Sequence, residues 1–328
     1  MFWQRAWYRA GLHPLLLLLL PLHLLFVGLS TVRRWMFNKG LLGIYRAPVP
    51  VIVVGNISVG GTGKTPVTEA LVQWLKQQGY EPAIISRGYG AKGPFPQLVT
   101  ASSLASKVGD EPRLLATRTE VPLAVGPNRQ QAIELLLQAF PATNIIISDD
   151  GLQHYRLARD IEIAVIDGSR GLGNGWRLPL GPLRESKQRL QQVDIVAQNG
   201  DTEKKLGWVF RLQPQGWKRV KDSQDVPAPA GECVAIAGIG NPQRFFATLR
   251  QQPVVLKQCI EFADHHPFSI ADFTQFDKTL NVLMTEKDAA KCQLFARDNW
   301  LYLPVSAEFE QGFWLQLEQR LQEIAPKE

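Results

Sequence analysis

The run Ser58-Val59-Gly60-Gly61-Thr62-Gly63-Lys64-Thr65 carries the residue types that hold phosphate. Glycines let backbone N–H groups curl around phosphate oxygens, and a following helix N-terminus adds unpaired donors and partial positive charge. In such a loop the lysine reaches the β- and γ-phosphates and the hydroxyl binds Mg²⁺, so Lys64 and Thr65 are expected in those two roles. Two positions depart from the usual pattern. Ser58 stands where glycine is usual, and Pro66 lacks an N–H, which a first helical turn tolerates. A ligand-free, Gly-rich turn is the plain alternative.

Other residues could complete that chemistry. Asp149-Asp150 closes the apolar run Asn144 to Ser148. Two adjacent carboxylates after a buried strand repel each other unless a cation compensates them, which suits the acidic partner of a loop threonine on Mg²⁺. A turn or helix cap is the competing reading. Asp110-Glu111 reads locally as the ordinary acidic first turn of a helix. Asp264-His265-His266 offers an acid–base group or a metal pair, against a plain loop pair. Neighbours on an extended chain face opposite ways, so at most one of the two histidines enters a given site. His154 is ambiguous. Arg87, Arg129, Arg156, Arg170, Arg177 and Arg184 fall in or near predicted loops and suit phosphate, with surface charge as the default. Thr285-Glu286-Lys287-Asp288 has its lysine one place late for a guanine-reading motif, which favours ATP over a GTPase switch.

These residues need elements to position them. Val51 to Val54 reads as a buried strand, and Val67, Ala70, Leu71, Trp74 and Leu75 recur at helical spacing up to a C-cap at Gly79. Further strands are predicted at Glu81 to Ser86, Val121 to Val125, Asn144 to Ser148, Ile161 to Ile166 and Val193 to Ala197. Helices are predicted from Gly109 and over Arg129 to Ala139. Strand–helix–strand order implies right-handed crossovers and a parallel sheet, with functional groups at the strands' C-terminal ends. Beyond Gly231, strands are expected at Cys233 to Ala237, Val254 to Phe262, Val282 to Thr285 and Leu301 to Val305, and an amphipathic helix at Phe313 to Ile324. The expected fold class is α/β: a P-loop NTPase-like, mostly parallel sheet flanked by helices, a smaller C-terminal α/β domain and an apolar N-terminal membrane-associating helix. The expected divisions are 1–44 for the apolar segment, 45–200 for the core, 201–230 for a linker and 231–328 for the smaller domain.

Composition sets bounds. In 328 residues, 45% are hydrophobic and 20% charged, as in a globular protein. A net charge of +6 suits phosphate ligands or an anionic membrane, and with no zinc finger, RNA-binding signature or basic block, nucleic acid is not expected as a partner. The three cysteines, Cys233, Cys259 and Cys292, form neither a disulfide framework nor a metal motif, which fits a reducing compartment. Leu12 to Leu29 is almost wholly apolar but short for a span and interrupted by His13, Pro14, Pro21 and His23. Arg5, Arg9, Arg33, Arg34 and Lys39 flank it, with Trp3, Trp7, Tyr8, Trp35 and Phe37 where interfacial aromatics belong. The expectation is a helix or helical hairpin lying in the cytoplasmic face of a membrane, with a true span or a buried helix as alternatives.

The motifs VVGNISVGGTGKTP, SRGYG, GDEP, SDDGLQHYRLARD, GPLRE, AGIGNP and FADHHPF occur in this order. Together they resemble the tetraacyldisaccharide 4′-kinase family, the lipid A 4′-kinases of Gram-negative bacteria, over about Tyr45 to Asp288 and in the apolar N-terminus. The resemblance implies ATP- and Mg²⁺-dependent phosphorylation of the 4′-hydroxyl of an acylated glucosamine disaccharide 1-phosphate at the inner membrane. It implies Asp110 as general base paired with a histidine of the DHH motif, for which His265 is chosen over His266. It places Lys64 on the phosphates, Thr65 with Asp149 or Asp150 on the metal, and Asp150 among the catalytic groups. Gln153 and His154 are expected near the site, and Tyr89, Glu111 and Arg184 as substrate contacts. No protein partner is inferred. The rival reading is a membrane-bound nucleotide switch or partitioning ATPase that makes no phosphorylated lipid.

Overall fold

A computed structural model describes residues 6–9, 11–202 and 205–324. The flanking Trp3 and Arg5 lie outside the described residues. The N-terminal apolar segment is a 3₁₀ turn, Pro14–Leu19, running into helix α1, Leu20–Asn38. Leu16 is fully buried against Ala6 and Leu180, and His23 Nδ1 lies 3.0 Å from the Arg177 carbonyl. The opposite side is bare: Leu18 is 79% exposed and Leu24 62%.

The large sheet is built from β1 (Val51–Gly55), β2 (Pro82–Ser86), β3 (Gln97–Leu98), β4 (Leu123–Val125), β5 (Ile145–Asp149), β6 (Ile161–Asp167), β7 (Ile195–Asn199) and β8 (Trp208–Pro214). The smaller sheet holds β9 (Lys218–Arg219), β10 (Glu232–Ala237), β11 (Val255–Glu261), β12 (Asn281–Met284) and β13 (Trp300–Tyr302), after which β14 (Val305–Phe309) rejoins the large sheet. The large sheet's order is β14-β8-β7-β6-β1-β5-β2-β4-β3, antiparallel only at its two edge strands, β14 and β3. The smaller sheet's order is β11-β10-β12-β13-β9.

Strands β1, β2, β5 and β6 are buried throughout, which is why they read as continuous apolar runs. Helix α2, Lys64–Gln77, covers one face by burying Val67, Leu71, Val72 and Leu75. Each such side chain contributes about 1.5–3 kcal/mol on burial. Helix α3 is Asp110–Thr119 and α4 is Arg129–Ala139, the latter capped by the Asn128 side chain on the N–H groups of Gln130 and Gln131. The smaller sheet carries α5, Pro242–Arg250, and α6, Glu286–Cys292, and α7, Gln311–Ile324, closes the chain.

Two stretches differ from expectation. The polar segment 201–230, expected as a linker, contains β8, whose Val209 and Phe210 are buried beside β7. The single strand expected at Leu301 to Val305 is two. β13 ends at Tyr302 in the smaller sheet, and past Pro304, which has no N–H for a ladder, β14 pairs with β8. The expected linker and the expected smaller domain therefore each give one strand to the large sheet.

Candidate active site

The central position of β1 decides the site. Its C-terminal end is flanked by β5 and β6, and the register sets Val54 opposite Asp149. The phosphate loop, the Asp149-Asp150 pair and Asp167 thus converge where adjacent parallel strands end, the place such sheets bind ligands. Gly63 caps α2 with φ 99°, a left-handed conformation natural to glycine. A Cβ there would sit 2.6 Å from Asn199 Nδ2, the group that donates to the Thr62 carbonyl at 3.1 Å.

The loop lines its cavity from Gly60 to Pro66. Ser58 and Val59, expected in the cradle, are used elsewhere: Ser58 bridges to Leu183, and the Val59 N–H donates to the Pro182 carbonyl at 2.8 Å. From the smaller sheet, Gly240 closes on the loop so tightly that a Cβ on it would lie 2.3 Å from Gly61 N. Arg170 Nη1 donates to the Gly240 carbonyl at 2.7 Å and holds that approach.

Two cavities open from the cleft. One, of 380 Å³, runs from the loop between the sheets and is walled by Leu212, Ile239, Phe245, Leu303 and Val305 with Arg118. The other, of 610 Å³, lies between the core and α1, whose Phe26, Ser30, Thr31, Arg33 and Arg34 form one wall. Tyr89, Glu111, Asp150, Arg184 and His265 line both. Those five mark the junction.

Charges at the junction are paired. Asp150 Oδ1 lies 3.5 Å from Lys64 Nζ and 3.4 Å from Arg184 Nη1, which also reaches Gln153 Oε1 at 3.3 Å. Burial works against the Asp150 carboxylate, but Lys64 and Arg184 outweigh it and hold its pKa below the usual value. Asp149 is different. Burial, Glu111 and Asp150 push it up to about 7, and its buried Oδ1 has no hydrogen-bond partner. A buried acid in that state is short of a cation. Thr65 lines the loop cavity together with Asp150 and would supply a hydroxyl, so these residues fit Mg²⁺. Among the described residues no group of three or more His, Cys, Asp or Glu could cage a metal alone.

Asp110 opens α3, and His265 Nδ1 lies 3.7 Å from its Oδ2. Burial raises the Asp110 pKa, but His265, Lys291 and Lys287 outweigh that and bring it below the ordinary range. His266 faces away, with Nε2 3.2 Å from Asp272 Oδ1 and its ring among Phe262 and Phe268. Asp150 (φ 48°) and His265 (φ 61°) are both non-glycine residues in the left-handed region, a strain of order 1–3 kcal/mol each that gathers at functional sites.

Other expected residues separate. Tyr89, Glu111, Gln153 and Arg184 line the cleft. His154 does not. It lines a third cavity with Arg129 and Arg156, because the turn after β5 carries successive side chains to different sides. Sequence reasoning missed Glu185 and Tyr155: Glu185 accepts from Gln153 Nε2 at 2.7 Å and from the Tyr155 hydroxyl. Glu185 sits inside the GPLRE motif, which was the available signal. Lys287 was read only against a guanine motif. Asp288 of that motif is buried and accepts from the Gly238 N–H and the Thr285 hydroxyl, a structural role.

A strand-loop-helix phosphate cradle at the centre of a parallel sheet, with a carboxylate pair at the next strand end and a second cavity for an acceptor, defines a P-loop phosphotransferase. The comparisons narrow the class. The family model described as tetraacyldisaccharide-1-P 4′-kinase matches residues 15–322, and the chain belongs to that family. It is 50% identical over 309 residues to the tetraacyldisaccharide 4′-kinase of Idiomarina loihiensis, covering 94% of each chain. It is 50% identical over 295 residues to that of Pasteurella multocida, covering 89% of this chain and 91% of the relative. A crystal structure of LpxK from Aquifex aeolicus in complex with ATP superposes with a TM-score of 0.76 at 28% identity, over 94% of this chain and 99% of that one.

Proposed function

We propose that this chain is an ATP-dependent kinase that transfers the γ-phosphate to the 4′-hydroxyl of a tetraacylated glucosamine disaccharide 1-phosphate at a membrane surface. The observation that carries this reading is the pair of cavities meeting at Asp150, Glu111 and His265. ATP takes the smaller, with its phosphates on Gly60 to Thr65 and its base among the apolar side chains. The disaccharide takes the larger, which α1 walls. The ATP complex of the Aquifex protein supports the first assignment.

Lys64 neutralises charge on the transferring phosphoryl, and loop N–H groups hold its oxygens. Mg²⁺, held by Thr65 with Asp149 or Asp150, would supply further positive charge there. Asp110 is ionised at neutral pH, so it can accept the hydroxyl proton. Its depressed pKa makes it a weak base, which suits a loose transition state in which the proton leaves late. Its larger task is to orient the hydroxyl for in-line attack. Arg184 holds Asp150 from the acceptor side and is itself steadied by Gln153.

The membrane assignment rests on α1. The most apolar 18-residue window of Pro14–Asn38 has a mean hydropathy of 2.4 and is 11% buried. Its free apolar face beside Arg33 and Arg34 suits an interfacial position on the cytoplasmic leaflet, where ATP and an acylated acceptor meet. The test supplies ATP labelled at the γ-phosphate with the disaccharide 1-phosphate in vesicles. Label in the lipid is expected. Label in free phosphate alone would overturn the kinase reading in favour of a nucleotide switch.

A further inference from the structure

Lys287 is the second residue of α6, in the smaller sheet's layer, yet its ammonium reaches across to the large sheet's catalytic helix. Nζ lies 2.9 Å from Glu111 Oε1, 3.3 Å from His265 Nε2 and 3.8 Å from Asp264 Oδ1. It lines the nucleotide cavity and is mostly buried. Burial works against its charge, but Glu111 and Asp264 outweigh it and keep the ammonium protonated.

An ammonium has donors and no acceptor. The His265 nitrogen that faces it must therefore present a lone pair. A neutral imidazole with its lone pair on Nε2 carries its proton on Nδ1, and Nδ1 is the atom facing Asp110. We propose that Lys287 is a positioning residue that fixes His265 as the Nδ1–H tautomer, so that His265 donates to Asp110 and leaves the other carboxylate lone pairs for the substrate hydroxyl. The opposite tautomer would aim an acceptor at Asp110 and a donor at the cation, with only Asp264 Oδ1, 3.9 Å from Nε2 and farther than the ammonium, to receive it. Lys291, 3.8 Å from Asp110 Oδ2, cannot substitute, because it faces the carboxylate and not the ring. Glu111 keeps Lys287 in place, which gives that carboxylate a second use besides substrate contact. The fold explains the division of labour: the smaller sheet brings His265 and Lys287 together, the large sheet brings Asp110 and Glu111, and the functional set forms only where the layers meet.

This inference rests on the kinase reading for its activity arm alone. The test uses full-length protein labelled with ¹⁵N-histidine in lipid nanodiscs at pH 8.5, where an ordinary imidazole is neutral. With five histidines in the chain, His265 is assigned by subtraction with His265→Asn. The wild type should show a protonated Nδ1 and a bare Nε2. Lys287→Met should move the proton toward Nε2, lower kcat about 10²-fold, as loss of a partner that orients a histidine does elsewhere, and change KM for ATP less than about threefold. Lys287→Arg, which keeps donor and charge, should restore the tautomer and most of kcat. A wild-type Nε2–H form, or an unchanged tautomer in Lys287→Met, would overturn the proposal, as would a loss confined to KM. A wild type that makes no phosphorylated disaccharide would instead sink the activity reading and leave the tautomer result standing.

Discussion

Asp110 and His265 are 155 positions apart in the chain, and nothing local distinguishes Asp110 from a helix-starting acid. Asp110→Asn keeps shape and hydrogen bonding but loses the proton acceptor, so kcat should fall about 10²–10⁴-fold, with ATP affinity unchanged in a binding titration. Near-normal turnover would return Asp110 to a helix-capping role. Lys64 and Asp149-Asp150 were legible without any relative, because loop, helix and strand signals surround them within a few residues. His154 was not, since the direction of a side chain in a tight turn depends on tertiary contacts. Its placement has its own consequence. Burial and then Arg129, Arg159, Arg33 and Arg156 depress its pKa to about 4. The unfolded chain, with a histidine pKa of about 6.5, then binds more protons than the folded one between those values. Stability from neutral His154 is complete above about pH 6.5 and is lost as pH falls toward 4, by about 1–3 kcal/mol. His154→Gln should flatten that part of a melting-temperature profile; an unchanged acid limb would contradict it.

At the scale of elements, most strands were legible because a strand buried on both faces reads as an unbroken apolar run. β8 escaped because only Val209 and Phe210 are buried in a segment of otherwise mixed burial. The join of β13 and β14 escaped because a sheet change leaves no mark in hydrophobicity, and Pro304 was its only local sign. The two layers meet closely at the phosphate loop. Gly240→Ala would drive a methyl into Gly61 and force the loops apart. The expected outcome is a Kd for ATP raised by about tenfold or more, since phosphate-cradling geometry tolerates little displacement, with the fold intact by circular dichroism. Unchanged ATP binding would show that the two loops need not touch.

For the whole molecule, the N-terminal segment ties an exposed apolar surface to the phosphate loop. The Tyr8 hydroxyl donates to the Val59 carbonyl at 3.3 Å, and Arg170 lies 5.0 Å over the Tyr8 ring while it holds Gly240. Leu18 and Leu24 touch little of the protein, so Leu18→Glu with Leu24→Glu should spare the melting temperature. Losing two buried leucines from a membrane contact, at about 1.5–3 kcal/mol each, should lower vesicle partitioning by at least tenfold. Undiminished vesicle binding would refute an interfacial α1. The central claim is that ATP on the loop and the sugar hydroxyl at Asp110 meet directly, with no phosphorylated protein group between them. The measurement that tests it most directly is the stereochemical course with ATP made chiral by oxygen isotopes at the γ-phosphorus. Direct in-line transfer predicts inversion at phosphorus in the 4′-phosphate; retention would contradict it and point to a phosphorylated Asp150 or His265.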